Sequence, residues 1–328
     1  MKTFVQLLRI ALWAAAAVLA CVSASASAQV WPSKPIRVIV PFPAGGTSDI
    51  LTRMVGHKMT EAWGQQVIAD NKPGANGNIG VEALTRSAPD GYTMCLMDVG
   101  NLSISPSMYA KLPFDILRDL TPISMVSYSP HLVTLHSSVA ANNIGELIAL
   151  AKKNPGKLNF PVGLGSAVHL AGLALEQRTG AKWTYVPTKG GAQSILAVTT
   201  GESDMVFMGM LQALPHVKAG RIRLIALSSE KRDPNLPDTP TIAETPGLEG
   251  FVTGSYQGLL GPAKMAPDLV MKINQELRRI LGLSDFKEKL ASQGTQPMSM
   301  SPQEMGKWLV SEKDRWAAVI KTSGFQIE

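Results

Sequence analysis

The stretch Ile36-Arg37-Val38-Ile39-Val40-Pro41-Phe42-Pro43-Ala44-Gly45-Gly46 decides the fold. Its first five residues are mostly β-branched and predict a strand. The prolines and glycines predict a loop, and the periodic segment 49–63 predicts a helix. The same order recurs downstream. A strand at 66–70, the loop Lys72-Pro73-Gly74-Ala75-Asn76-Gly77-Asn78, a helix at 79–87 and a strand at 92–97 complete a first series. A second series has strands at 131–135, 158–161, 183–187, 204–208 and 224–227, with helices at 144–154, 167–179 and 192–200. Segment 234–246 is proline-rich loop, and 267–290 and 302–321 are helical. Regular alternation of this kind predicts α/β sheets with mainly parallel strands flanked by helices.

Four glycine loops, at 44–48, 74–78, 163–166 and 189–192, each follow a strand and open a helix. A helix amino terminus offers unpaired N–H groups and about half a positive charge, which suits a carboxylate. In open α/β sheets such loops gather at the carboxyl ends of the strands, where ligands bind. Two loops in each series predict walls facing one another across a cleft. Neither nucleotide signature fits. Lys189-Gly190 is the reverse of the Gly-Lys order of a phosphate-binding loop, and Gly163-Leu164-Gly165 lacks the third glycine of a dinucleotide fingerprint. No cofactor is expected.

Catalytic signatures are weak. Ser166 is not in a Gly-x-Ser-x-Gly elbow, although His169 three positions later leaves a Ser166–His169 pair conceivable. The five histidines have no metal-binding spacing, so no metal is expected. At 328 residues and 45% hydrophobic content the chain is long enough for two lobes with buried cores.

The amino terminus has the form of a secretory signal. Lys2 and Arg9 lead into the apolar run 10–20, and Ala26-Ser27-Ala28 supplies small residues for cleavage after residue 28. Cys21 offers an alternative lipoprotein site. Cleavage removes Lys2 and Arg9, lowering the formal charge from +6 to +4. The remaining basic residues form no stripe with interleaved aromatics, so no nucleic-acid partner is implied. Cys95, in an apolar run, is then the single cysteine and excludes an internal disulfide.

Trp31-Pro32, Lys34-Pro35-Ile36-Arg37, the Pro41–Gly46 loop with Asp49 and Arg53, Asn71-Lys72-Pro73-Gly74-Ala75-Asn76-Gly77-Asn78-Ile79-Gly80, Pro89-Asp90-Gly91-Tyr92-Thr93, Gly165-Ser166 with His169-Leu170-Ala171, and Lys189-Gly190-Gly191-Ala192 follow one another in an order that resembles the tripartite tricarboxylate transporter receptors of the Bug type. The resemblance spans essentially the whole mature chain. It implies a two-lobed periplasmic-binding-protein fold of the type II-like, Venus flytrap kind, with lobe one formed by 30–129 plus 253–328 and lobe two by 130–252. It also implies a monomeric receptor that holds a small carboxylate and delivers it to membrane permease subunits, without catalysis. A sensor feeding a signalling partner is the alternative.

By position, the resemblance assigns ligand contacts to Phe42, Ala44, Gly45, Gly46, Thr47 and Asp49 in the first loop. On the other wall it assigns Ser166, Ala167, Lys189, Gly190, Gly191 and Ala192, with Asn76 and His169 in neighbouring motifs. Asp49 is expected to hold a water or cap its helix. Asp204 is expected to reach the cleft or to remain a surface acid at a strand start. Two positions bear on ligand choice: Thr188 stands where many relatives carry tyrosine, and Asp98 lies at the end of a strand. Asp98 would repel a second carboxylate and accept from an amino group or hydroxyl, making an amino acid or hydroxy acid a candidate ligand, or else it bonds to the Gly100-Asn101 loop.

Overall fold

The computed structural model describes residues 31–292 and 294–323. The signal at 1–28 and Cys21 lie outside them. The chain divides into a short unit, Met1–Lys34, whose described residues form neither helix nor strand, and a second, Pro35–Glu328, that holds every element discussed below.

The second unit opens as the sequence predicts. Strand β1 (Ile36–Val40) pairs in parallel with β2 (Val67–Asn71) and β3 (Thr93–Asp98). Between them run α1 (Thr47–Trp63) and α2 (Asn78–Thr85). Helix α1 ends at Gly64, whose left-handed backbone (φ 66°) lets its N–H bond to the Thr60 carbonyl. Helix α3 (Val99–Met108) follows β3 directly.

Strand β4 (Leu120–Leu135) then runs through both halves of the unit. Its first part pairs antiparallel with β9 (Gly254–Pro262) and β10 (Gln296–Pro297), and its last part with β7 (Met205–Gly209) and β8 (Arg223–Leu227). The order of the first sheet is β10-β4-β9-β3-β1-β2, so β1 to β4 all run one way and only β9 and β10 oppose them. In the other half β7 and β8 run together against β4, and β5 (Asn159–Val162) pairs in parallel with β6 (Thr184–Pro187). Four helices flank these strands: α4 (Ile144–Lys153), α5 (Ala167–Thr179), α6 (Gly191–Thr199) and α7 (Met210–Lys218). Helix α4 is capped as its sequence requires, the Asn143 side chain accepting from the Glu146 N–H at 2.9 Å.

The carboxyl-terminal helices return to the first sheet. The expected helix at 267–290 is two, α8 (Pro267–Gly282) and α9 (Ser284–Ala291), because Leu283 is extended between them. Val270, Ile273, Leu277 and Ile280 form the buried stripe of α8, and Asn274 donates from that stripe to the carbonyls of Ile123 and Met300, both at 2.8 Å. Helix α10 (Pro302–Ser323) completes the fold.

Two cores result. One is built wholly from residues between Leu132 and Phe251, the other from β1, β3, α2, α3, the first part of β4, β9 and α10. A third cluster joins them, with Ile104 and Met108 of α3, Ala167 and Leu170 of α5, and Trp316 and Ile320 of α10 in mutual contact. At the centre of the first core Phe160 packs against Phe207, ring centroids 5.1 Å apart, and both are fully buried. Phe207→Ala is expected to cost about 3–5 kcal/mol of stability through the cavity it leaves; urea unfolding followed by circular dichroism measures it.

Candidate functional site

Loops at the carboxyl ends of β1, β2, β3, β5, β6 and β7 all open on one cleft of about 590 Å³, within the range of small-molecule sites. Six helices therefore begin at or near its walls, and what caps each start divides them into two kinds. Asp98 caps α3, its Oδ1 accepting from the N–H groups of Gly100 (2.9 Å) and Asn101 (3.4 Å). Ser166 caps α5 by accepting from the His169 N–H at 3.2 Å. The other starts are at glycines: Gly46 before α1, Gly77 before α2, Gly190 before α6 and Gly209 before α7, none with a side-chain cap from the N-cap residue. Ser129 Oγ does accept from the Met210 N–H of α7 at 2.8 Å. Of the open starts, Gly46, Thr47 and Ser48 of α1 and Gly190 and Gly191 of α6 line the cleft.

The cleft floor is a closed polar network. Ser48 Oγ donates to Gln257 Oε1 at 2.7 Å, Gln257 Nε2 donates to Ser255 Oγ at 2.8 Å, and Ser255 Oγ donates to Asp98 Oδ2 at 2.6 Å. Burial pushes the Asp98 carboxyl up to about 6 against the pull of these donors. His131 also faces the cleft, its Nδ1 paired with Thr253 Oγ1 at 2.9 Å, and burial lowers its pKa to about 4, leaving the ring neutral at pH 7. Lys189 is the single side-chain cation among the described cleft residues, and it stands on the exposed rim.

The two halves touch across this cleft. Asn76 Nδ2 donates to the Gly165 carbonyl at 3.0 Å, and Asn101 Oδ1 accepts from the Ala167 N–H at 2.7 Å. Gly190, with φ 149°, meets Pro43 so closely that a Cβ there would lie 3.1 Å from the proline Cδ.

Of the residues singled out from sequence, Phe42, Gly46, Thr47, Asn76, Asp98, Ser166, Lys189, Gly190 and Gly191 line the cleft. The others do not. Ala44 and Gly45 are exposed outside the cleft lining, and Ala192, the second residue of α6, is half-buried outside it. Ala167 faces a separate small cavity beside Thr253 and Trp316. Asp49 accepts from the Gly45 N–H (3.0 Å), from Arg53 (2.9 Å) and from Asn71 (3.1 Å), fixing the first loop from behind. Burial opposes its ionisation, but these donors together hold its pKa below the ordinary carboxylate value. His169 supports its own loop by accepting from the Gly165 N–H at 3.1 Å, and meets Ser166 through its backbone rather than as a side-chain pair. Asp204 stitches the amino ends of β5 and β7, away from the cleft, accepting from the Asn159 N–H at 2.6 Å. Sequence reasoning missed Ser48, Asn101, His131, Gln212, Ser255 and Gln257, all at the cleft. Of these, Ser255 and Gln257 alternate along β9, a period-two polar signal that was there to be found.

A mixed α/β fold with helix starts converging on a cleft, and donors from both sides of it, defines the solute-binding proteins of the periplasmic type. The chain belongs to the tripartite tricarboxylate transporter receptor family, whose pattern matches residues 51–325. It is 31% identical over 309 residues to protein BugT of Bordetella pertussis, covering 94% of each chain. Among solved structures it is similar to R. palustris Rpa4515 with adipate (31% identity, TM-score 0.87, 90% of this chain and 99% of that one). It is similar as well to MatC from Rhodopseudomonas palustris with bound malate (26% identity, TM-score 0.82, 88% and 100%). The family is one of substrate-binding receptors, not enzymes. Among the described residues no helix is long and apolar enough to cross a membrane, and no three His, Cys, Asp or Glu side chains are placed to hold a metal.

The position of Asp98 makes a pH test specific. Its folded pKa of about 6 lies above the unfolded value of about 3.9, so the folded state holds the proton more tightly. Its ionisation therefore weakens the fold above pH 6, and this penalty is relieved as pH falls from 6 towards 4. Relative to Asp98→Asn, the wild type should gain about 2–3 kcal/mol between pH 7 and pH 4. Paired denaturation curves across that range measure the difference.

Proposed function

We propose that this protein captures a small carboxylate between the first turn of α1 and the opposite wall in the periplasm, after removal of residues 1–28, and hands it to the permease subunits of a tripartite tricarboxylate-type transporter. The observation that carries the reading is the uncapped start of α1, where Gly46, Thr47 and Ser48 line the cleft and the N-cap glycine has no side chain to satisfy the first N–H groups. A carboxylate supplies the missing acceptors and meets the positive end of the helix dipole. Adipate and malate in the two similar solved structures are both acids, which supports the class.

The Asp98 carboxylate already accepts from two backbone N–H groups and from Ser255, so it is engaged as a cap rather than held open for an ammonium group. This favours plain or hydroxylated acids over amino acids. Residues 30–129 with 253–328 form one lobe and 130–252 the other, a division supported by the separate cores on the two parts of β4. The lobes close by hinge motion, and contacts such as Asn76–Gly165 and Asn101–Ala167 favour the closed state.

Thr47→Pro tests the claim at one atom. Thr47 is the first residue of α1, a position where proline is tolerated, and Gly46 before it already has the extended backbone (φ −78°, ψ 167°) that a following proline requires. The substitution deletes the N–H donor together with the Thr47 hydroxyl, so Thr47→Ala, which removes the hydroxyl alone, is measured beside it. Acid affinity measured by isothermal titration should fall about tenfold with the melting temperature of the free protein nearly unchanged. Unchanged affinity for every acid that the wild type binds would remove α1 from the site.

A further inference from the structure

Strand β9, by which the chain returns from the second half to the first, has two faces, and only one of them looks into the cleft. Ser255 and Gln257 line the cleft, whereas Gly254 and Tyr256, which alternate with them, line a separate cavity of about 70 Å³ on the opposite face. Both halves of the unit build that cavity. Glu312, Arg315 and Trp316 of α10 come from one half, Ala167 of α5 from the other, and His131 from β4 where it crosses between them.

The chemistry of its walls selects an uncharged occupant with an acceptor oxygen. Trp316 is 6% exposed, and its indole N–H, which can only donate, is buried without a hydrogen-bond partner. Arg315 lies over the same ring, 5.0 Å from its centroid, and pairs with Glu312 at 3.2 Å, so the two charges cancel at the wall. An anion would meet the Glu312 carboxylate and a cation the Arg315 guanidinium. His131 adds no charge at pH 7, since burial lowers its pKa to about 4. The volume is roughly half of the ~150 Å³ that accepts benzene, which leaves room for about four heavy atoms.

Resting on the two-lobed carboxylate reading above, we infer that this cavity is a second site, for a small uncharged molecule whose oxygen accepts from the Trp316 indole, and that its occupation favours closure on the acid. The coupling follows from position. The cavity lies across β9 from the cleft, so a rotation that brings the cleft walls together moves the cavity walls apart. In this structure the cleft walls touch, at Asn76–Gly165 and Asn101–Ala167, and the cavity stands open. Opening the cleft presses α5 towards α10 and closes it. An occupant therefore binds the closed arrangement more tightly, and it raises the affinity for the acid by the same factor that the acid raises its own.

Acetamide is the probe: it has the right size, a carbonyl acceptor for Trp316 and an amide donor that suits Glu312. Wild-type crystals soaked in acetamide should show its carbonyl oxygen within hydrogen-bond distance of Trp316 Nε1, and Trp316→Phe crystals should not. Isothermal titration then uses the acid that the wild type binds best among succinate, malate, adipate and hexanoate. Rising acetamide should tighten that binding about fivefold, and Trp316→Phe should abolish the gain while binding the acid alone as before. Ala167→Leu fills the cavity from α5 and keeps the Ala167 N–H, so it should bring a similar gain with no acetamide present. The melting temperature of each variant checks its fold, and Ala167→Val carries that arm if leucine overpacks. A soaked crystal without acetamide in the cavity, acid affinity that acetamide leaves unchanged or weakens, or an equal gain in Trp316→Phe would overturn the inference and leave carboxylate capture standing. Absence of binding to all four acids by the wild type would refute carboxylate capture itself, and the coupling with it.

Discussion

The first N–H groups of an α-helix find no acceptor within the helix, and a fold that points several helix starts at one cleft must satisfy them or leave them for a ligand. In this protein both solutions occur side by side. Asp98 and Ser166 close α3 and α5 with their own side chains, while Gly46 and Gly190 leave α1 and α6 open to the same space. The contrast separates helix starts that the fold closes from those it leaves open, and the proposed acid site uses the open ones. On the proposed reading an acid is held without a buried arginine, which spares the cleft the desolvation of a cation.

Everything that aims those starts depends on two long strands. β4 belongs to both halves of the unit, and β9 brings the chain back beside it over nine residues of register. The polar floor comes from this pair and its neighbour β3: Ser255 and Gln257 from β9, and Asp98 from the end of β3. Contacts across the cleft then arise from ordinary side chains. Asn76 and Asn101 each reach a backbone group of the opposite wall, and the Ile104–Leu170–Trp316 cluster covers the back of the joint.

The strand–loop–helix units at 36–63, 67–85 and 159–199 were legible because β-branched runs and glycine loops are local signals. The central strands were not, for physical reasons that can be named. The first part of β4 holds Pro122 and Pro130 and shifts register after Pro122, so it lacks a clean alternating pattern. In β9, Gly254 and Gly258 permit close packing, since a Cβ at either would lie within 2.5–2.7 Å of Tyr128 or Met305, and the same glycines erase the strand signal. Helix α3 contains Gly100 and Pro106 and owes its form to the Asp98 cap and near-complete burial. The site suffered accordingly. Motif residues on all four glycine loops were found at the cleft, whereas Ser48 and Gln212 depend on tertiary neighbours, and the short Ser255–Gln257 alternation is masked by the glycines on either side of it. Asp49 was noticed as important, but its carboxylate turned out to hold the loop in place.

The central claim is that an acid is held by backbone N–H groups at the open start of α1 rather than by a charged side chain. A crystal structure of the protein with its preferred acid tests this most directly. The account predicts carboxylate oxygens within hydrogen-bond distance of the Thr47 and Ser48 N–H groups, with the Asp98 and Ser166 caps unchanged. A carboxylate seated on Lys189, or one that displaces Asp98 from Gly100 and Asn101, would contradict it.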